Sequence, residues 1–185
     1  MNMEIFQKSF KSLIKTLAFS SLIFAAGCIN QGNKSPQKMP SDAEIKEQMI
    51  EANYNMVEVE SEQIDAFVQR RGWEMQKSGT GLRYMIYEAG KGPYATTGQV
   101  AKVNYEVTLL DGTKLYSSQE TGPQEFLIGM DNVESGLHEG ITYMNVGSKA
   151  KMILPIHLAH GLLGDENKIP SNATIIYDIE LLALK

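Results

Sequence analysis

The stretch from residue 99 to residue 118 constrains the fold most, because its side chains alternate between apolar and polar. Every second residue from Val103 to Leu109 is apolar or aromatic, which is the period of a strand buried on one face. Asp111-Gly112 follows and suits a tight turn, since glycine adopts positive φ without steric cost. The pattern therefore predicts a β-hairpin whose second strand covers residues 115–118.

Residues 78–185 show further strand patterns around one short helical pattern. Strands are predicted at residues 82–87, 126–128, 148–154 and 174–184. Asn132 is expected to cap the short helix, and Ile153 is expected on the face of its strand opposite Met152 and Leu154. Residues 155–172 form a long loop, and loops of that length in compact domains are usually functional.

The first 27 residues have the pattern of a secretory signal. Lys8, Lys11 and Lys15 precede an apolar stretch of about ten residues, which is too short to span a bilayer. Small residues then lead directly into Cys28, the only cysteine, as in a bacterial lipobox. The sequence predicts a lipoprotein signal peptide over residues 1–27 and lipidation of Cys28. The protein would be anchored to a membrane and face the periplasm or the cell exterior; an ordinary secretory signal beside a chance cysteine is the alternative.

Residues 28–40 are polar and carry two prolines, which predicts a flexible tether. The formal net charge of the whole chain is −5 and no basic cluster occurs, so nucleic acid is not an expected partner. Removal of residues 1–27 takes away three lysines and one glutamate and makes the net charge −7. The lipid on Cys28, rather than basic charge, would therefore hold the protein on a membrane.

A helical N-terminal extension is predicted over residues 41–77. Ser41 begins a capping box with the acidic residue three positions later. Ser61 is expected to cap a second helix, which Gly72 would end. These helices either pack on the following domain as a spacer or form a client-holding or dimerisation arm. A homodimer through residues 41–72 is thus one expectation.

A series of short motifs runs through residues 79–185. In chain order they are Gly81-Leu82-x-Tyr84, Val103-x-Tyr105, Asp111-Gly112, Phe126-x-Ile128-Gly129, Gly136-Leu137-x-Glu139-Gly140, and Ile169-Pro170 with Tyr177-Asp178. Together these motifs resemble the FKBP-type prolyl cis–trans isomerases. The resemblance implies an α+β fold, an FKBP-like curled antiparallel β-sheet around one short helix. This isomerase domain would span residues 78–185, after a short helical N-terminal arm, and would fold alone. The lipoprotein layout also resembles that of the FKBP lipoproteins associated with gliding motility.

The implied chemistry needs neither a cofactor nor a metal. Rotation of an X–Pro peptide bond crosses a barrier of about 18–20 kcal/mol. The planar amide is more polar than the twisted one, so an apolar pocket that excludes water disfavours the ground state relative to the transition state. The expected function is a membrane-tethered peptidyl-prolyl isomerase whose partners are proline-containing polypeptide clients. The alternative is a catalytically weak or inactive FKBP-fold chaperone or assembly factor that binds clients in the same groove.

The resemblance places a pocket between the curled sheet and the short helix. Its expected catalytic residues are Tyr105, Phe126, His160 and Tyr177. Its expected substrate-binding residues are Leu115, Tyr116, Val133, Glu134, Leu137 and Ile169, with Glu134 acting through its backbone N–H.

Three positions depart from the family pattern. Tyr116 replaces an aspartate whose carboxylate forms hydrogen bonds around the pocket, and Gln124 replaces an aromatic residue. His160 replaces a loop tyrosine whose hydroxyl binds a substrate carbonyl. These departures predict an active but weaker or altered isomerase, with a binding-only fold as the alternative.

Overall fold

The computed structural model describes residues 41–185. The predicted signal peptide, Cys28 and the tether lie outside the described residues. Residues 46–185 form one compact unit. Within the described part of the chain, no helix is both long enough and apolar enough to cross a membrane.

The first helix, α1, spans Asp42–Arg71 without a break. The capping box forms as predicted, with the Ser41 N–H donating to Glu44 Oε2 at 2.7 Å. Gly72 ends the helix in a left-handed conformation with φ of 64°. The helix therefore ends at Gly72, as predicted, and residues 73–77 of the extension are not helical.

The prediction of two helices divided at Ser61 is wrong. No glycine or proline interrupts the sequence between Asp42 and Arg71, so no residue in it favours a break. The Ser61 side chain does not cap a helix. Its hydroxyl accepts a hydrogen bond from Arg83 Nη2 at 2.7 Å.

Seven strands are found within residues 41–185, and all of their pairings are antiparallel. In chain order the elements after α1 are β1 (Gln76–Lys77), β2 (Arg83–Glu88), β3 (Val100–Leu109), β4 (Lys114–Ser117), α2 (Ser118–Thr121), β5 (Gln124–Leu127), α3 (Ser135–Ile141), β6 (Lys149–Leu154), a 3₁₀ turn (Ile156–Leu158) and β7 (Ile175–Leu184). The sheet order is β1-β2-β6-β7-β3-β4, and β5 also pairs with β3. The curled antiparallel sheet with one short helix and an N-terminal helix confirms the predicted fold class.

The central hairpin forms at the position that the alternation predicts. Gly112 has φ of 91°, and its N–H donates to the Leu109 carbonyl at 3.0 Å. The Thr113 N–H donates to the Asp111 carboxylate at 2.8 Å, which fixes the turn. Because β3 pairs with β7 on one side and with β4 and β5 on the other, it lies in the middle of the sheet.

The short helix α3 begins later than predicted. Its N-cap residue is Glu134 rather than Asn132, which is exposed. Two glycines allow close contact between α3 and β6. A Cβ on Gly136 would lie 2.6 Å from Leu154 Cγ, and one on Gly140 would overlap the Met152 sulfur. This close contact fixes α3 against the sheet.

The two faces of the sheet are covered by different elements. The main core lies on the α3 side and contains residues such as Met152, Leu154 and Ile179. A second cluster forms where Ile64 and Phe67 of α1 pack on Ile153 and Ile176. Ile153 therefore lies on the face opposite Met152 and Leu154, as the alternation predicts, and α1 covers that face. Whether residues 78–185 form a separate domain stays a prediction.

Candidate functional site

The predicted pocket residues lie together near the paired strands β3 and β7. Eight of the ten belong to one apolar cluster, namely Tyr105, Leu115, Tyr116, Phe126, Val133, Leu137, Ile169 and Tyr177. The Tyr105 and Tyr177 rings are 6.3 Å apart between centroids and tilted by 46°. The other two residues, Glu134 and His160, join the cluster through hydrogen bonds.

Burial divides the cluster into a floor and walls. Leu115, Phe126 and Leu137 are 5%, 2% and 2% exposed, so they form the apolar floor of the cluster. Tyr105 and Val133 are partly exposed and offer side walls. The cluster therefore combines a buried apolar floor with partly exposed aromatic and aliphatic walls.

The side chain of Glu134 is the most unexpected feature of the pocket. It is 9% exposed, and its Oε1 accepts hydrogen bonds from the Tyr177 hydroxyl at 2.9 Å and from His160 Nε2 at 2.8 Å. Burial, together with the Glu134 carboxylate, raises the pKa of Tyr177 well above its usual value, so Tyr177 stays a donor. Within residues 41–185 the backbone N–H of Glu134 makes no hydrogen bond, which is compatible with its expected role as a donor to the substrate chain.

The contact with Glu134 determines which nitrogen of His160 is free. A neutral imidazole carries one N–H, and the carboxylate requires that hydrogen on Nε2. Nδ1 is then an acceptor in the neutral ring and becomes a donor only in the protonated ring. Nδ1 of His160 can therefore donate a hydrogen bond only when the ring is charged.

At the position where Tyr116 replaces the family's aspartate, another part of the chain supplies a carboxylate. The Tyr116 hydroxyl donates to Asp165, a residue of the long loop. Asp165 Oδ1 also accepts from the backbone N–H groups of Asn167 at 2.9 Å and Ile169 at 2.7 Å. Burial opposes ionisation of Asp165, but these hydrogen bonds outweigh it and hold its pKa below the usual value. The loop is thereby attached to β4.

Sequence reasoning missed three features of this site. It did not assign a role to Asp165 or to the carboxylate of Glu134, although the loss of an aspartate at Tyr116 was a signal that another acid was needed. It also did not single out Leu162 and Leu163, which are 59% and 79% exposed on the loop beside His160. Gln124, in contrast, is exposed and does not join the apolar cluster.

The fold and the site define a class of protein in which a curled antiparallel sheet and a short helix enclose a cluster of apolar and aromatic side chains. Residues 92–182 match the family described as FKBP-type peptidyl-prolyl cis-trans isomerase. The chain belongs to this family.

The chain is similar to relatives from distant organisms. It is 36% identical over 121 residues to the FKBP-type peptidyl-prolyl cis-trans isomerase FkpA of Escherichia coli K12, which covers 65% of this chain and 43% of FkpA. It is 42% identical over 89 residues to FK506-binding protein 2 of Dictyostelium discoideum, covering 48% of this chain and 67% of that protein. The chain thus spans less than half the length of its FkpA relative.

Solved structures show the same fold. The crystal structure of FkpA from Escherichia coli superposes with a TM-score of 0.58 at 32% identity, over 80% of this chain and 75% of that one. The crystal structure of AtFKBP13 superposes with a TM-score of 0.57 at 31% identity, over 60% of this chain and 99% of that one.

Proposed function

We propose that this protein is a peptidyl-prolyl cis–trans isomerase that acts on exported polypeptides while tethered to a membrane. The observation that carries the proposal is the cluster of Tyr105, Tyr177, Glu134 and His160 above an apolar floor. Membership of the FKBP-type family supports the reaction class. The same groove would hold proline-containing segments of client chains.

In this mechanism the proline ring lies on the apolar floor and between the tyrosine walls. The groove removes water from the planar amide and so raises its free energy relative to the twisted transition state. The Glu134 backbone N–H binds the substrate chain, and His160 donates to a substrate carbonyl in its charged form. Leu115, Tyr116, Val133, Leu137 and Ile169 complete the binding surface.

A proline-peptide isomerisation assay on the full chain tests the reaction. The wild-type protein is expected to accelerate isomerisation in proportion to its concentration. Tyr105→Leu keeps an apolar side chain but removes the aromatic wall, and kcat/KM is expected to fall about tenfold. Tyr94→Leu is the matched control, because Tyr94 is 66% exposed and lies outside the cluster. No acceleration by the wild type would refute the catalytic proposal.

The tether rests on the sequence of the segment before residue 41. Lipidation of Cys28 would place the domain on a membrane surface that faces the periplasm or cell exterior. Two acyl chains hold a protein firmly, whereas one anchors it only marginally. A layout of this kind is the basis for the proposed link to the gliding-motility FKBP lipoproteins.

A second candidate function is client holding or assembly without catalysis. Ile50, Tyr54 and Val57 recur at helical spacing on α1 and are 60%, 67% and 44% exposed. An apolar stripe that no described residue covers suits either a client segment or the same stripe of a second copy. Sedimentation of wild type and of Tyr54→Lys tests the homodimer, with Gln48→Lys as the control because Gln48 is exposed on a different face of α1. A monomeric wild type that still suppresses client aggregation would favour the holding function.

A further inference from the structure

The side chain of Glu60 joins α1 to the loop that carries the proposed active site. Glu60 is 7% exposed, although it is a charged residue in a helix whose preceding residues are exposed. Its Oε1 accepts the backbone N–H of Ile156 at 2.8 Å and the hydroxyl of Thr174 at 2.5 Å. These two partners are 96 and 114 residues away in sequence, so the contact is made only in the folded protein.

The two hydrogen-bond partners of Glu60 lie at opposite ends of the loop. Ile156 begins the 3₁₀ turn that leads into the loop, and Thr174 immediately precedes β7, where the loop ends. The intervening segment carries His160, Asp165 and Ile169, which form part of the proposed site. One carboxylate oxygen therefore holds both ends of this segment at one point.

Side-chain packing around Glu60 does not hold the ends of the loop in the way that these hydrogen bonds do. Glu60 lines two cavities, one of about 720 Å³ beside Leu109, Leu110 and the loop, and one of about 220 Å³ beside Arg83. With space on both sides, close packing does not by itself define the ends of the loop there. α1 is meanwhile fixed nearby, because Arg83 forms an ion pair with Asp65 at 2.7 Å. α1 therefore holds the Glu60 carboxylate in place as a hydrogen-bond acceptor.

We propose that Glu60 is a positioning residue that sets the geometry of the loop over residues 156–174 and so makes α1 part of the catalytic machinery. Only the kinetic consequence of this proposal rests on the proposed isomerase function. Loss of the acceptor leaves the partly buried N–H of Ile156 and the buried hydroxyl of Thr174 without this partner, which weakens the attachment of the loop. A displacement of about 1 Å at a catalytic group can cost up to about 100-fold in rate.

The test compares Glu60→Ala with Glu60→Gln in the full chain. Glutamine keeps an acceptor oxygen, so it is expected to retain both hydrogen bonds and a kcat/KM within about twofold of wild type. Alanine is expected to lower kcat/KM about tenfold and to speed amide hydrogen exchange in residues 156–174 about tenfold or more. Glu58→Ala is the control, because Glu58 is exposed on the same helix. Failure of Glu60→Gln to rescue both quantities would overturn the proposal.

A second variant guards against simple unfolding. Thr174→Val removes one donor without touching α1, and it is expected to accelerate exchange in the same loop. The combined Glu60→Ala and Thr174→Val protein should lose less than the sum of the single effects, because both changes remove one contact. Additive effects would overturn the proposal. Hydrogen exchange reports on the loop even if the wild type proves inactive, so the two proposals fail separately.

Discussion

Replacement of His160 by phenylalanine tests the polar part of the groove most directly. Phenylalanine keeps a flat ring but removes both nitrogens, including Nε2, which lies 2.8 Å from Glu134 Oε1. The His160 side chain is 31% exposed, so water can replace part of the lost contact. We therefore expect the free energy of unfolding to fall by no more than about 1 kcal/mol.

The kinetic effect is expected to be larger than the effect on stability. A well-placed donor can be worth about 100-fold in rate, but His160 offers its Nδ1–H only in the charged ring. We expect His160→Phe to lower kcat/KM by about 3–30-fold, which corresponds to about 0.7–2 kcal/mol of transition-state stabilisation. His160→Tyr, which restores the family's residue, should raise the activity or leave it unchanged.

The assay measures proline-peptide isomerisation by the full chain. His157→Phe is the matched control, since His157 is exposed and its Nε2 contacts the Thr80 carbonyl instead. An unchanged kcat/KM in His160→Phe, with the fold intact, would show that His160 is not a donor in catalysis. An inactive wild type that gains activity from His160→Tyr combined with Tyr116→Asp would favour the binding-only function.

Three further predictions concern the anchor, the domain boundary and the buried tyrosine. Cys28→Ala should release the protein from membranes in a detergent-partitioning experiment, and equal retention of variant and wild type would contradict lipidation. A chain truncated to residues 78–185 should unfold cooperatively but with a free energy lower by about 3–6 kcal/mol, because it loses the buried side chains of Ile64 and Phe67; a broad thermal transition would show instead that α1 belongs to the core. The raised pKa of Tyr177 means that the folded state keeps a proton that the unfolded state loses, so stability should decrease as pH rises above about 10. Urea unfolding should show a smaller alkaline decrease for Tyr177→Phe, and an identical decrease would refute this origin.

The sheet could be predicted from sequence because its signals are local. Alternation from Val103 to Leu109 requires only that a strand has one buried face, and the turn at Gly112 requires only a residue that accepts positive φ. The end of α1 at Gly72 has the same origin. Each of these signals acts within a few residues, and the structure agrees with each.

The features that sequence could not supply depend on distant partners. Ser61 has the side chain of a cap, but its hydroxyl binds Arg83, which is 22 residues away. The Glu134 carboxylate meets His160 at a separation of 26 residues, and Tyr116 meets Asp165 at 49. No local pattern encodes such pairs, so the family resemblance predicted the pocket residues but not their hydrogen bonds.

The nearly buried acid at the groove has a consequence for inhibitor design. Both donors to Glu134 bind Oε1, and within residues 41–185 Oε2 receives no hydrogen bond. A wholly apolar ligand that covered this oxygen would remove water from a negative charge without supplying a hydrogen bond, which is unfavourable. A ligand of the same shape with one amine at that point would gain a charge-assisted hydrogen bond instead. Under the proposed function, a compound with a positive charge at the position that faces Glu134 should therefore bind more tightly than its neutral analogue.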